Sequence, residues 1–478
     1  MDFLTALQTN DMKTENGMPT HSTSGNYLLD YFFKMGAPRS IKEDELISLF
    51  IGALSVNRDL ALKALFYNRD CRGGQGERHS FRVVFHWLAN YYPEVASELI
   101  EYIPVYGRWD DVLVCYKTPI QDTAFDFIKY HLLKGDKLCA KWMPREGKKL
   151  NSIAKELMNY IGLSPKSYRK LLSNSTDVVE NKMCRKEWGE INYNHVPSQA
   201  MQKYKRAFSR NDGDRFGVWI NSLTKEDSSN KVNSSQLFPY DIVKSILQKG
   251  GYSNGLTRED VLLYDAQWKG LKDYRFDLNR MIAVSDVSGS MNNPDRIPMS
   301  ASISLGIYLS ERNIGPFKDC FITFSNRPKL VRVTGNNIVE KVYNVSRANW
   351  EMNTDLEAVF DLILLNSVKY NVRKSDMPNT IIILSDMQFD RCVTDVDSNA
   401  LHMIRDKYNQ SGYSMPNIIF WNLDSKGGVP VKFNDNGVAL VSGYSPSILQ
   451  AIMDGDIDPI RIMMNMLTSE RYSLVKVK

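Results

Sequence analysis

Apolar positions change their spacing once along this chain, and the change divides it. From Tyr27 to about Leu223 they recur every three or four residues, the period of an amphipathic helix. Leu28, Leu29, Phe32 and Phe33 open the series behind candidate caps at Ser22 to Ser24. Leu46, Leu49, Phe50 and Ala53 continue it, then Leu60, Ala64 and Phe66, then Phe81, Val84, Phe85 and Leu88, where Pro93 ends the run. Ala96, Leu99, Ile100 and Ile103 lead up to Pro104, and Val112–Tyr116, Phe125–Leu133, Ile153–Ile161 and Tyr168–Leu172 complete the succession. Nothing repeats at a fixed period, but many short antiparallel helices in a row predict an α-helical solenoid of HEAT-like type.

Thr224–Gln236 is rich in Ser and Asn and reads as an exposed loop, and Pro239–Gln248 as a further helix broken by Gly250-Gly251. Around Arg280 the pattern becomes strands alternating with helices. Strands are expected near 281–286, 319–324, 329–333, 380–385, 417–421 and 437–441, and helices near 298–312, 355–366, 398–408 and 445–453. Such alternation predicts a doubly wound, mostly parallel sheet covered on both faces. The fold class is therefore α followed by α/β, with a helical domain over 1–265 and a Rossmann-like domain over 266–478.

The chemistry sits where the expected strands end. In Arg280–Met291 (RMIAVSDVSGSM) the apolar run Met281–Val284 is followed by Asp286, Ser288 and Ser290 at alternate positions. A carboxylate and two hydroxyls at this spacing are hard oxygen ligands of the type Mg2+ takes in octahedral geometry, and Gly289 would let the loop turn tightly. Ligands of open α/β sheets bind at the carboxyl ends of strands. Asn353-Thr354-Asp355 places a threonine hydroxyl before the helical run Leu356–Leu365, and Thr380–Asp386 (TIIILSD) is a second buried strand ending in a carboxylate. The plainer roles for Thr354 and Asp386 are a helix cap and a turn cap.

Composition narrows the classes. With 43% hydrophobic and 24% charged residues in 478, the chain has the composition of a globular protein of two or three domains. No stretch approaches the roughly 20 apolar residues of a membrane span, and the opening Met1–Asp11 lacks the basic start and apolar core of a signal peptide. Cys71, Cys115, Cys139, Cys184, Cys320 and Cys392 are scattered without a C-x-x-C pair, which suits reduced thiols and a cytoplasmic location. The six histidines show no H-E-x-x-H spacing, so zinc-hydrolase chemistry has no support.

The net charge of +5 is unevenly placed, with 19 basic against 9 acidic residues over 129–215. There Lys137, Lys141, Arg145, Lys148 and Lys149 surround Trp142 and Pro144, Arg169 and Lys170 follow Tyr168, and Lys203, Lys205, Arg206 and Arg210 surround Tyr204 and Phe208. Cations interleaved with aromatic rings can neutralise phosphates and stack bases; a charge run can equally be a solvated helix face. Arg69–Arg78 (RDCRGGQGER) could bring backbone amides to a phosphate beside Arg72 and Arg78, or serve as an interhelical turn with Gly73 and Gly74 as C-caps. It lacks the spacing of a nucleotide P-loop. In Tyr106–Asp111 (YGRWDD), Asp110 and Asp111 suit a helix start, and Trp109 reads as core.

The three strand-end loops together resemble the metal-ion-dependent adhesion site of the von Willebrand factor A domain. There a D-x-S-x-S loop, a threonine and a later aspartate surround one divalent ion, and the matching residues here are Asp286, Ser288, Ser290, Thr354 and Asp386. A many-helix first half followed by such a domain resembles the TROVE architecture of the Ro autoantigen. Several strings also resemble a viral and cellular family known only as a domain of unknown function: Thr14–Gly25, Arg69–Arg78, Tyr106–Asp111, Ala140–Glu146, Ile191–Ser198 and Leu384–Asp390.

The resemblance implies a non-catalytic, RNA-binding scaffold of Ro ribonucleoprotein type, with a Mg2+ (or Mn2+) site offered to an acidic protein partner. Its helical residues do not map one by one onto the Ro-type RNA contacts. The candidate nucleic-acid set is therefore the one read from charge: Arg72, Arg78, Lys141, Arg145, Lys148, Lys149, Arg169, Lys170, Lys205 and Arg206. The alternative is a metal-dependent protein-interaction module without RNA. A metal-dependent phosphohydrolase has less support, because no candidate base lies beside Asp286 and two-metal sites need more carboxylates.

Overall fold

The structure, a computed structural model, describes residues 12–225, 227–234, 237–249, 255–274, 280–292, 295–325, 327–347, 354–390, 400–452 and 457–477. The expected break at Gly250-Gly251, the opening Met1–Asp11, Asn353 and Cys392 lie outside them.

The first half is helical. Helix Tyr27–Met35 packs on Glu43–Val56, which packs on Arg58–Arg69 and His79–Tyr91. Its cap is Asn26, whose Oδ1 accepts from the Leu28 and Leu29 amides at 3.0 and 3.1 Å, rather than a residue of Ser22 to Ser24. The Ser24 hydroxyl accepts the Asn26 amide at 3.2 Å instead of a helix amide. Pro93 opens the helix Pro93–Leu99 at its first turn, where its missing N–H costs nothing. Pro104 likewise sits in the first turn of Ile103–Tyr106. The Thr224–Gln236 segment is not wholly exposed, because Val232 and Ser234 are buried.

The sheet runs β5-β4-β3-β6-β7-β8, with β3 (Met281–Ser285), β4 (Cys320–Thr323), β5 (Leu330–Arg332), β6 (Thr380–Ser385), β7 (Asn417–Asn422) and β8 (Val438–Ser442). Pairing is parallel except between β4 and β5. Strands β3, β6 and β8 are buried along their whole length, as near-continuous apolar runs require when helices cover both faces. The six strands fall where the sequence placed them. Helix Ile338–Ser346 and helix Pro459–Leu467 were not anticipated, and the helix expected near 445–453 is the 3-10 segment Pro446–Ile452.

Strand β3 pairs with β4 on one side and β6 on the other, so the chain order reverses between β3 and β6, the crevice where such sheets hold ligands. The ends of the chain interlock its halves. A hairpin of β1 (Met12–Lys13) and β2 (Pro19–Thr20) lies against the sheet half, with the Thr14 hydroxyl donating to the Phe389 carbonyl at 2.7 Å. Helix Pro459–Leu467 returns to pack on Tyr27–Met35 and Arg58–Arg69. At Gly36 a β-carbon would stand 2.8 Å from the Ser442 backbone carbon, so only glycine lets the first helix end this close to β8. One apolar core runs from Leu28 through the sheet to Val475, and a smaller one gathers Tyr193, Phe208, Phe216 and Trp219.

Candidate functional site

Four of the five expected metal residues stand on loops at the reversal between β3 and β6. Asp286 follows β3 and is fully buried. Its Oδ1 accepts the Ser288 amide at 2.8 Å and its Oδ2 the Ser385 hydroxyl at 2.6 Å. The Ser288 and Ser290 hydroxyls lie 2.9 Å apart, so alternation in the sequence does converge two oxygens. Gly289 achieves this without left-handed backbone, by starting the 3-10 turn Gly289–Met291. The left-handed residue is Met387 (φ 63°), a strained conformation for a side chain of this size directly after Asp386.

Asp386 is fully buried beyond β6, and its Oδ1 accepts the Gln388 amide at 3.3 Å. Its Oδ2 accepts no hydrogen bond. Burial, with the Asp386 charge adding to it, pushes the Asp286 carboxyl up to about 7. Burial also raises Asp386, against the pull of the Ser290 hydroxyl and the Lys426 ammonium. Two desolvated, mutually repelling carboxylates hold either a proton or a cation. Lys426 lies at the edge: its Nζ donates to the Ser290 carbonyl at 2.7 Å and stands 3.7 Å from Asp386 Oδ2 and 3.5 Å from Asp424 Oδ2.

Thr354 is buried, but its hydroxyl is committed elsewhere. It donates to the Gln388 carbonyl at 2.6 Å and accepts from Asn16 Nδ2 at 3.4 Å, while its amide donates to Asp390 at 2.7 Å. The cap of helix Leu356–Lys369 is Asp355, which accepts the Ala358 amide at 3.0 Å. The donors that converge at the reversal are Asp286, Ser288, Ser290 and Asp386, whose Oδ2 accepts no hydrogen bond, while the Thr354 hydroxyl is oriented by the Gln388 carbonyl. Among the described residues no three carboxylates, thiols or imidazoles form a metal cage, so hydroxyls would have to contribute. Asp424, Lys426, Ser385 and Asn16 were missed. Asp424 had a signal: it follows the apolar strand β7 as Asp286 follows β3 and Asp386 follows β6.

The Arg69–Arg78 run forms a joint between segments. Arg69 pairs with buried Asp111 at 2.7 Å, and Arg82 bonds Asp111 at 2.7 Å and Asp110 at 2.8 Å. Asp70 holds Arg471 at 2.7 Å and Tyr472 at 3.0 Å. The residue after helix Arg58–Arg69 is Asp70, so Gly73 and Gly74 are not its C-caps; a β-carbon on Gly74 would meet the Tyr67 carbonyl. Arg72 is exposed and donates to the Val105 carbonyl at 2.8 Å, and Arg78 is exposed near Arg82 and Arg108. Asp110 and Asp111 open a 3-10 segment, Trp109–Cys115, and Trp109 is core, stacked on Phe127.

The basic residues divide. Arg145, Lys148, Lys149, Arg169, Lys170 and Arg206 are exposed. The Tyr168 hydroxyl donates to the Pro144 carbonyl at 3.1 Å, which brings the loop beginning at Arg145 beside the helix turn carrying Arg169 and Lys170. Lys141 is half-buried beside Trp142, over which Arg108 stacks at 3.9 Å. Lys205 departs from the surface reading: its side chain is 11% exposed and pairs with buried Asp260, which Lys249 also reaches at 3.2 Å. Its charge is consumed inside the protein.

Two family models match the chain. Residues 14–105 and 137–274 match DUF2828, and residues 280–470 match DUF7788, each described as a domain of unknown function. An uncharacterized protein, L728, of Acanthamoeba polyphaga mimivirus is 28% identical over 513 residues, covering 95% of this chain and 86% of its own. The crystal structure of the Deinococcus radiodurans RO (RSR) protein aligns with a TM-score of 0.45 at 13% identity, over 93% of this chain and 99% of that one.

Proposed function

We propose that this chain is a non-catalytic RNA-binding scaffold whose sheet half carries a Mg2+ or Mn2+ site for an acidic partner. The observation that carries the RNA reading is the Tyr168–Pro144 hydrogen bond, which joins two exposed basic segments, Arg145 to Lys149 and Arg169-Lys170. Among the described residues none of Arg145, Lys148, Lys149, Arg169 and Lys170 pairs with a carboxylate, so their charge is free to neutralise phosphates. Arg72, Arg78, Lys141 and Arg206 are secondary candidates, and Lys205 is withdrawn because Asp260 occupies it.

The test is what the purified protein carries. Wild type is expected to copurify with RNA recoverable by phenol extraction. The variant with Lys148, Lys149, Arg169 and Lys170 all changed to Glu should lose most of it, with unchanged far-ultraviolet circular dichroism. Equal RNA in both, or none in wild type, sinks the reading.

For the metal, Asp286 and Asp386 with the Ser288 and Ser290 hydroxyls would be the ligands. A bound divalent ion would supply an open coordination position for a partner's carboxylate or phosphate. Asp286 and Asp386 must be ionised to act, and Ser385 orients Asp286 through its 2.6 Å hydrogen bond. Millimolar Mg2+ or Mn2+ is expected to raise the wild-type Tm, since binding to the folded state alone stabilises it by RT ln(1 + [L]/Kd). Asp286→Asn, which keeps the shape and removes the charge, should abolish that rise. A wild-type Tm insensitive to both ions contradicts the metal assignment.

A further inference from the structure

The candidate metal centre already has a cation of the chain's own at its edge. Asp386 and Asp424 are both fully buried, and the side chain of Lys426 is 20% exposed. Its ammonium is 3.7 Å from Asp386 Oδ2 and 3.5 Å from Asp424 Oδ2. The contact to Asp386 is an ion pair beyond hydrogen-bond reach. Lys426 therefore neutralises the carboxylates and still leaves the buried Asp386 Oδ2 without a hydrogen bond. That pairing is loose for a buried acceptor, and a small divalent ion would satisfy it at a ligand distance of about 2.1 Å.

The backbone that carries Lys426 is fixed from the helical half. The Ser425 amide donates to the Ala37 carbonyl at 2.9 Å and its hydroxyl to the Lys34 carbonyl at 2.7 Å. The Ser40 hydroxyl reaches Asp424 at 3.0 and 3.2 Å. What remains free is the four-carbon stem of the lysine, with an exposed side to swing into. We infer that the Lys426 ammonium competes with a divalent cation for the Asp386 carboxylate, so that Lys426 must leave before the centre loads. This rests on the metal reading above. Both cations together would crowd like charges into one desolvated pocket.

The test is Mn2+ titration by calorimetry on wild type, Lys426→Ala and Lys426→Arg, with melting curves in EDTA. Lys426→Ala is expected to bind Mn2+ on the order of tenfold more tightly, because no bound competitor reduces the binding-competent fraction. In EDTA it should melt below wild type, and saturating Mn2+ should close the gap. Lys426→Arg, which keeps the cation, should stay near wild-type affinity and confirm that the site is intact. Equal or weaker Mn2+ binding by Lys426→Ala overturns the inference while leaving the metal centre standing. Absence of Mn2+ binding in wild type and Lys426→Ala alike overturns the metal centre and the inference with it.

Discussion

Asp111→Ala is expected to remove about 3–5 kcal/mol of folding stability, the usual cost of breaking a buried ion pair from one side. The carboxylate is fully buried and takes four contacts from three residues: Arg69 through Nε at 2.8 Å and Nη2 at 2.7 Å, Arg82 through Nε at 2.7 Å, and the Arg108 amide at 2.9 Å. Removing it strands the Arg69 guanidinium, whose side chain is 3% exposed. Arg82, more exposed and still held by Asp110, should matter less, so Arg82→Ala is expected to cost markedly less than Asp111→Ala. Urea denaturation of both variants decides this. A loss below about 1 kcal/mol for Asp111→Ala would show that the network is not what holds this joint.

Asp70→Ala should act at a distance in sequence. Asp70 accepts from Arg471 at 2.7 Å, from the Tyr472 hydroxyl at 3.0 Å and from the Arg72 amide at 2.9 Å. Tyr472 stacks on Tyr106 and is itself buried. Without the carboxylate the 3-10 turn Glu470–Tyr472 loses its anchor on the helical half. The expected loss is about 2–4 kcal/mol, and it should be visible as faster amide exchange in Glu470–Val475 and helix Pro459–Leu467, with the β3 and β6 amides little changed. Uniform acceleration across the chain would instead mean that the clamp is not local.

Much of the sheet half was legible because its strands are uninterrupted apolar runs, and their polar ends announce the candidate site by position alone. Asp286, Ser288, Ser290 and Asp386 were readable for that reason. Thr354 was readable as a polar residue before a helix, but not as the partner of Gln388 and of Asn16, which lies 338 positions away. Lys426 and Ser385 reach the centre through tertiary packing that no local pattern encodes. The same blindness misled the charge reading at Lys205, since Asp260 lies 55 positions further along the chain. The first helix is capped by Asn26, whose own amide the Ser24 hydroxyl accepts. The Gly/Arg run gave no sign of its role as a joint, because Asp111, the carboxylate partner of Arg69, comes from a different segment.

If the basic segments on either side of the Tyr168–Pro144 hydrogen bond bind RNA, the salt dependence of binding shows it most directly. Fluorescence anisotropy with a single-stranded RNA, repeated across a range of KCl concentrations, gives the slope of log affinity against log salt. Each phosphate contact contributes about 0.7 to that slope. Wild type should bind with a steep dependence, and the variant with Lys148, Lys149, Arg169 and Lys170 changed to Glu should bind more weakly with a slope flatter by up to about 3. Asp286→Asn should match wild type, because the proposed metal centre would serve another partner. Identical affinity and slope for wild type and the charge-reversed variant would contradict the account.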